Sequence, residues 1–238
     1  MQWSRRRFLA ATASAGVAVG AGSILAGCGT DLKGGDKGRT GSSADTLFIA
    51  GFQWGRPTNF SPLSSTAAWP TGENNAQYIY ETLVRFNLLT GKLEPGLSTG
   101  LQSPDPSTIL IPLQKDIHFQ DGKPLTADDV VYTFELAKRH PELSYASFWQ
   151  YAKSIEKQDA NTVVCKLDPK HLNPRLVQNS LATTFILPMH LWQSVEKSGK
   201  SLSEYTNDKP VGTGPYSLKQ YDQNQIVLQR YDDYWGKT

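Results

Sequence analysis

The stretch FQDGKPLTADDV, residues 119–130, joins a tight turn to the start of a helix. Asp121-Gly122 is typical of a turn, because glycine adopts a positive φ without steric cost. Thr126, followed three residues later by Asp129, predicts a capping box that opens a helix. Asp128 and Asp129 then lie in the first helical turn, where negative charge is favoured, so we interpret both as structural rather than as a metal-binding or catalytic pair.

Strand and helix signals alternate on both sides of this stretch. Short apolar runs bounded by turn residues predict strands over 46–51, 108–113, 152–156, 162–167, 214–221 and 225–230, with a turn at Thr90-Gly91. Helical spacing of apolar residues predicts a helix that buries Ala76, Ile79, Tyr80, Leu83 and Val84, and short helices are predicted over 172–181 and 189–197. The mixture indicates an α/β chain.

The first 28 residues have the pattern of an export signal. Arg5-Arg6-Arg7 precede an apolar stretch rich in glycine and alanine, which is too weakly hydrophobic for a spanning helix. The adjacent arginines resemble the twin-arginine signal, and Leu25-Ala26-Gly27-Cys28 matches the site at which bacterial lipoproteins are cut. We therefore expect residues 1–27 to be a twin-arginine-type lipoprotein signal peptide and Cys28 to carry lipid, which places the protein on the extracytoplasmic side of a membrane.

Residues 28–45 are polar and rich in glycine and serine, which predicts a flexible tether. The formal net charge of +2 includes the three arginines of the signal, so the chain without them carries −1. This charge excludes the basic surface that nucleic-acid binding requires. Cys165 then has no partner for an intramolecular disulfide, and its apolar surroundings predict a buried structural thiol.

Patterns of catalytic or cofactor chemistry are absent from the sequence. The four histidines are scattered, without metal-ligand spacing, and neither a Gly-x-Ser-x-Gly nor a phosphate-binding loop occurs. Gly212-Thr213-Gly214 is followed by Pro215 and a predicted strand, so it is interpreted as a turn rather than a nucleotide site. We expect neither enzymatic activity nor a cofactor or metal site.

Aromatic residues are concentrated in polar loop segments instead. Trp54, Trp69 and Trp149 lie among glycine, proline, asparagine or serine, and Tyr145 and Tyr151 lie close to Trp149. Flat aromatic faces suit sugar rings or peptide side chains, although most tryptophans serve packing. For Trp69 and Trp149 the two interpretations have equal weight.

Four ordered stretches together resemble a known family: residues 78–83 with LEPGL at 93–97, the stretch 119–130, PVGTGPY at 210–216 and YDDYWG at 231–236. The chain resembles the N-terminal part of the oligopeptide- and dipeptide-binding class, family 5, of extracytoplasmic solute-binding proteins of ABC transporters. The similarity extends from about Thr46 to Thr238.

The resemblance implies an α/β fold, a periplasmic-binding-protein-like lobe with a mixed sheet and flanking helices. Residues 46–95 and 172–238 would form this first lobe, and residues 96–171 an inserted small α+β domain. The family has two such lobes around a cleft. Its members are much longer than this chain, so we expect the second lobe to be absent from it, as in a fragment or a truncated gene.

By position, Ala67-Ala68-Trp69-Pro70 resembles the family segment whose backbone meets an extended peptide. Residues 145–151 resemble an aromatic stretch of the inserted domain that faces the cleft. The candidate ligand-binding residues are therefore Trp54, Ala68, Trp69, Pro70, Tyr145 and Trp149.

The function implied by the resemblance is a lipid-anchored receptor that delivers oligopeptides to the transmembrane subunits of an ABC permease. Oligosaccharides, such as cello-oligosaccharides, and nickel are alternative ligands. Alternatives of another class are an exported envelope enzyme and a non-transport sensor.

Overall fold

The computed structural model describes residues 58–68, 71, 77–223 and 225–236. The strands in this part are β1 (Val84–Asn87), β2 (Lys92–Pro95), β3 (Gln102–Asp105), β4 (Thr108–Pro112), β5 (Ala152–Asp159), β6 (Thr162–Leu167), β7 (Tyr216–Tyr221) and β8 (Ile226–Arg230). The α helices are α1 (Ala127–Arg139), α2 (Pro174–Thr183) and α3 (Met189–Lys197), and a 3-10 helix covers Ala146–Gln150. The described part thus contains both strands and helices, which confirms the α/β prediction.

The largest sheet has the strand order β3-β4-β6-β5, and all its pairs are antiparallel. Ile109 pairs with Cys165, which in turn pairs with Ile155, so one face of the sheet carries a buried apolar row. The β5–β6 turn is closed by the Asn161 N–H, which donates to Asp159 Oδ1 at 2.8 Å. The predicted hairpin and the buried Cys165 are both confirmed. Burial raises the pKa of the Cys165 thiol to about 12, which makes it unreactive.

Helix α1 packs against this sheet and begins at the predicted capping box. The backbone N–H and the hydroxyl of Thr126 both donate to Asp129 Oδ2, at 2.9 and 3.0 Å. Asp129 Oδ1 accepts the Met189 N–H at 2.9 Å, so the same carboxyl also fixes the start of α3. Asp128 forms an ion pair with Lys157 (2.7 Å between Oδ1 and Nζ). Both aspartates therefore have structural partners, as predicted.

The predicted helix around Ile79 and Leu83 is wrong. The described residues from 77 to 83 form turns and a β-bridge between Thr82 and Phe185, and Val84 begins β1. The backbone of this segment pairs with distant segments instead of with itself. Its carbonyls at 79, 81, 82 and 83 accept the N–H groups of Gly214, Ile186, Leu97 and Ser98. Side chains on both sides of the segment are buried, so apolar spacing alone did not identify its conformation.

The remaining predicted elements within the described ranges agree with the structure, whereas the predicted strand over 46–51 lies outside the described residues. Strands β1 and β2 form a hairpin whose turn contains Gly91 at a φ of 68°, and β7 and β8 form a second hairpin. Helices α2 and α3 flank a buried segment, residues 184–187.

The main apolar core extends across the predicted domain boundaries. It contains Leu83, Val177 and Leu181, which were predicted to lie in the lobe. It also contains Leu97 and Ile109, which were predicted to lie in the inserted domain. Residues 51–238 group into one compact unit. The boundaries at 95/96 and 171/172 thus stay a prediction. In the described ranges, no helix combines the length and the apolar character needed to cross a membrane.

Candidate functional site

A buried carboxylate, Glu81, lies where two of the quoted stretches meet. Its Oε1 accepts the hydroxyl of Tyr234 at 2.8 Å, and its Oε2 accepts the indole N–H of Trp235 at 2.9 Å. The side chain is 3% exposed. Burial raises the pKa of Glu81, and the hydrogen bonds from Trp235 and Tyr234 partly oppose that rise.

Gly212-Thr213-Gly214 passes directly over the backbone of the segment that contains Glu81. The Gly214 N–H donates to the Ile79 carbonyl and the Tyr216 N–H to the Tyr78 carbonyl, both at 2.9 Å. A Cβ atom on Gly212 or Gly214 would overlap one of these carbonyls. The predicted turn is confirmed, and its glycines are required because the two backbones approach so closely.

Gln120 connects the turn of residues 119–122 to the same glycine segment. Its side-chain Nε2 donates to the carbonyls of Gly214 and Tyr216, at 3.1 and 2.7 Å, while its Oε1 accepts the Gly212 N–H at 3.2 Å. The Tyr231 hydroxyl donates to the Phe119 carbonyl at 3.1 Å. Residues 78–83, 119–130, 210–216 and 231–236 therefore form one hydrogen-bonded junction, which we call the motif junction.

The loop that precedes the motif junction is fixed by Asn207. Its Nδ2 donates to the Phe60 carbonyl and to the Tyr80 hydroxyl, at 3.2 and 2.8 Å. Asn207 has a φ of 50°, and the Phe60 N–H donates to the Thr206 carbonyl at 2.8 Å. Burial raises the pKa of Tyr80 far above its ordinary value, so its hydroxyl stays protonated. This contact gives the loop a defined position.

Of the predicted ligand residues in this loop, only Ala68 is described. Trp54, Trp69 and Pro70 lie outside the described residues, as does the predicted lipid-attachment residue Cys28. The Ala68 N–H donates to the Asn59 carbonyl at 2.6 Å, and its own carbonyl accepts the Thr71 N–H at 2.9 Å. Both backbone groups of Ala68 thus have partners within the loop.

Tyr145 and Trp149 lie against α1 rather than at the motif junction. The Tyr145 hydroxyl donates to the Thr133 carbonyl at 3.1 Å, and the Trp149 indole N–H donates to the Phe134 carbonyl at 2.9 Å. Lys138 Nζ lies 4.3 Å from the centre of the Trp149 ring. These contacts fix the 3-10 helix on α1, and a role in ligand binding stays a prediction for both residues.

Sequence reasoning missed a surface depression of about 430 Å³ next to the motif junction. It is lined by Pro215, Tyr216, Arg230, Tyr231, Asp232 and Tyr234. The tyrosines of PVGTGPY and YDDYWG could have indicated it, because Tyr216, Tyr231 and Tyr234 all line this depression.

Three of the four histidines have carboxylate neighbours. His190 lies 2.7 Å from Asp121, His140 lies 3.2 Å from Glu196 and His171 lies 3.3 Å from Asp168. Within the ranges that the structure describes, no group of three or more His, Cys, Asp or Glu side chains could hold a metal ion.

Comparison with known proteins agrees with this arrangement. Residues 92–238 match the family described as "Bacterial extracellular solute-binding proteins, family 5 Middle". The oligopeptide-binding protein AppA of Bacillus subtilis is 31% identical over 184 residues, which are 76% of this chain and 33% of AppA. The nickel-binding protein NikA of Staphylococcus aureus is 32% identical over 146 residues, 61% of this chain and 27% of NikA.

A solved structure of a periplasmic oligopeptide-binding protein from Thermotoga maritima, bound to mannohexaose, has a TM-score of 0.68 and 32% identity. The match covers 78% of this chain and 33% of that one. The chain thus spans about a third of the length of these relatives. The family match extends over more than half of the chain and includes three of the four stretches of the motif junction in full. The chain belongs to the family 5 bacterial extracellular solute-binding proteins.

Proposed function

We propose that this chain forms part of a lipid-anchored extracytoplasmic receptor that delivers oligopeptides to an ABC importer. The observation that supports this most is the motif junction, because the stretches shared with the family meet at Glu81 and Gln120. AppA, a relative by sequence, is named an oligopeptide-binding protein. Export through the twin-arginine signal and lipid attachment at Cys28 would hold the receptor at the membrane surface, close to the permease.

The mechanism requires binding and conformational closure but no chemical step. In a two-lobed receptor, contacts from both lobes to one ligand exist only in the closed state, so the ligand shifts the population towards that state. The closed form is then the one that the permease recognises. The role of this chain would be to supply one wall of the cleft, supported by the motif junction.

We place the ligand contacts first in the loop that carries Trp54, Ala68, Trp69 and Pro70. Asn207 and Thr206 fix the described part of this loop at Phe60, which supports a binding role because a binding site needs a defined position. The backbone groups of Ala68 are already paired and the residue is only 3% exposed, so we assign the ligand contacts of this loop chiefly to Trp54, Trp69 and Pro70. Tyr145 and Trp149 form a second candidate set, for which the hydrogen bonds to α1 favour a packing role.

Two other ligand classes have specific support. The relative from Thermotoga maritima was solved with mannohexaose, which favours an oligosaccharide, and the relative NikA is named a nickel-binding protein. Tryptophan faces suit sugar rings, whereas a metal alone would need donor groups. An exported envelope enzyme and a non-transport sensor are the alternatives of another class.

A thermal-shift screen tests the proposal directly. The full-length mature receptor that contains this chain is heated with di- to pentapeptides, with cello- and malto-oligosaccharides and with nickel, because a ligand that binds only the folded state raises the Tm. We expect a shift with peptides alone. If the Tm rises only with saccharide or only with nickel, that compound and not peptide is the ligand. The absence of any shift would contradict the receptor proposal for all three classes.

A further inference from the structure

The hairpin of β1 and β2 ends in a group of exposed apolar side chains. Leu88 is 76% exposed, Leu89 is 98% exposed and Phe86 is 50% exposed. We call these three residues the hairpin tip. Large apolar side chains are normally withdrawn from water, and three within four positions form a local patch rather than scattered exposure.

The turn holds the hairpin tip in a projecting position. Asn87 Oδ1 accepts the N–H groups of Leu89 and Thr90, at 2.9 and 3.0 Å, and the Gly91 N–H donates to the Asn87 carbonyl at 2.8 Å. The turn is therefore closed by its own hydrogen bonds. The leucines are presented to the surroundings by a defined backbone.

Positive charge lies next to the hairpin tip. Lys92 is exposed and pairs with Asn87 across the hairpin, one step from the tip. Arg85 is also exposed, but its Nε donates to the Pro95 carbonyl at 3.2 Å, at the end of the hairpin away from the tip. The acidic residue of the hairpin, Glu94, accepts a hydrogen bond from Asn87 Nδ2 at 2.6 Å. An apolar tip followed by an exposed lysine is an arrangement that suits the interface of a membrane containing anionic lipids.

The size of the patch distinguishes between possible occupants. A stable protein interface covers about 800 Å² on each partner, contributed by roughly 20–30 residues. Three side chains on a narrow turn fall far short of that area. A bilayer needs no complementary surface, because lipid tails rearrange around a small apolar projection.

We propose that the hairpin tip inserts into the interfacial region of a phospholipid bilayer, with Lys92 at the headgroups. Insertion would orient the protein relative to the membrane that carries its permease. The proposal relies on the proposed function only for the presence of a membrane nearby, since an anchor at Cys28 would raise the effective concentration of the tip at its surface. Insertion of the tip does not depend on which solute the receptor transports.

A label at the tip tests insertion in the full chain. In a Cys28→Ser background, Leu89→Cys is coupled to an environment-sensitive NBD dye, and Cys165 is buried and protected from labelling. The control carries the same dye at Leu172→Cys, another exposed apolar position, which is 47% exposed. Vesicles of phosphatidylcholine with phosphatidylglycerol are then added.

We expect a blue shift and a rise of emission at position 89, quenched by brominated lipid, and no change at position 172. Emission at position 89 that is unaffected by vesicles, or equal changes at both positions, would overturn the proposal. A change that depends on protein concentration without vesicles would show self-association instead, and would also overturn it.

Charge and apolar variants provide a second measurement, sedimentation with the same vesicles. Leu88→Ser combined with Leu89→Ser should lower the bound fraction, while Leu172→Ser should not. Lys92→Glu should weaken binding to the anionic vesicles more than to pure phosphatidylcholine. Equal sedimentation of the tip variant and the unmodified chain would contradict insertion.

Discussion

The carboxylate of Glu81 accepts the indole N–H of Trp235 at 2.9 Å, although the two residues are 154 positions apart. Tyr234 donates to the other oxygen of the same carboxylate. One buried side chain therefore fixes the turn after β8 against the segment before β1. This arrangement has consequences for the free energy of unfolding, for the pH dependence of that free energy and for the loop around Phe60.

Glu81→Gln should lower the free energy of unfolding by about 0.5–1.5 kcal/mol, the net contribution of one hydrogen bond. A carboxamide has one acceptor oxygen, so it can accept from the Trp235 N–H but not also from the Tyr234 hydroxyl, whose proton loses its acceptor. Urea unfolding measures the change. The matched control is Glu94→Gln, at an exposed glutamate on β2, which should change stability by less than about 0.5 kcal/mol. Equal stability of the two variants would contradict the role of Glu81.

The pH dependence of stability should identify Glu81 by its sign. Because burial raises its pKa above the ordinary 4.5, the folded protein holds this proton more tightly than the unfolded chain does. Its contribution therefore stabilises the fold at low pH and declines as the pH rises from about 4.5 through the raised pKa. The neighbouring Arg85 and the two hydrogen bonds reduce the shift without reversing it.

The measurement is the difference in unfolding free energy between the unmodified chain and Glu81→Gln, taken at several pH values. We expect this difference to fall as the pH increases above about 4.5. A difference that rises over the same range would mean that the hydrogen bonds outweigh burial, and that the pKa of Glu81 is lowered instead.

Asn207→Gly should release the loop around Phe60 without adding backbone strain. Glycine accepts the φ of 50° at this position, so the variant removes only the side-chain bonds to Phe60 and Tyr80. We expect a loss of about 1–3 kcal/mol in stability, since two buried hydrogen bonds disappear, and faster proteolysis within residues 58–71.

The control for this variant is Asp116→Gly, because Asp116 has a similar φ of 58° but is exposed. Its substitution should leave the loop as resistant to protease as before. If both variants lose the same stability, the effect belongs to the backbone conformation and not to the side chain of Asn207.

Local chemistry made much of the fold predictable. The turn at Gly91, the capping box of Thr126 and Asp129 and the Asp159–Asn161 turn each depend on residues a few positions apart, so the sequence indicates them directly. The segment 77–83 was misassigned because its carbonyls accept hydrogen bonds from residues 15 or more positions away, and the spacing of apolar residues carries no information about such distant partners.

The candidate site was predictable only as separate pieces. The stretches that contain Glu81, Gln120, Gly214 and Trp235 were identified individually, but their meeting depends on hydrogen bonds across 94 and 154 positions. For Tyr145 and Trp149, the sequence suggested a role that their contacts in the fold do not favour. Their loop context suggested exposure to a ligand, whereas the nearby carbonyls of α1 supply partners for their polar atoms.

Trp149 allows packing and ligand stacking to be separated. Trp149→Phe keeps an aromatic face but removes the N–H that donates to the Phe134 carbonyl, so it should lower stability by about 0.5–1.5 kcal/mol. Ligand affinity should stay nearly unchanged. If the ring contacts solute, Trp149→Ala should weaken binding by roughly 1–3 kcal/mol, measured by calorimetry with the ligand from the thermal-shift screen. A Trp149→Ala variant that fails to fold would assign the ring to packing alone.

Cys28→Ser tests the predicted lipid anchor in cells. Serine has no thiol for lipid attachment, so the variant should move from the membrane fraction to the soluble extracytoplasmic fraction. The matched control is Cys165→Ser, because Cys165 is the other cysteine of the chain and lies buried on β6. That variant should lose stability yet stay with the membrane, since its lipid-attachment residue is intact. Retention of both variants in the membrane fraction after a high-salt wash would rule out Cys28 as the anchor, and attachment through the hairpin tip could then be tested by combining Cys28→Ser with Leu88→Ser and Leu89→Ser.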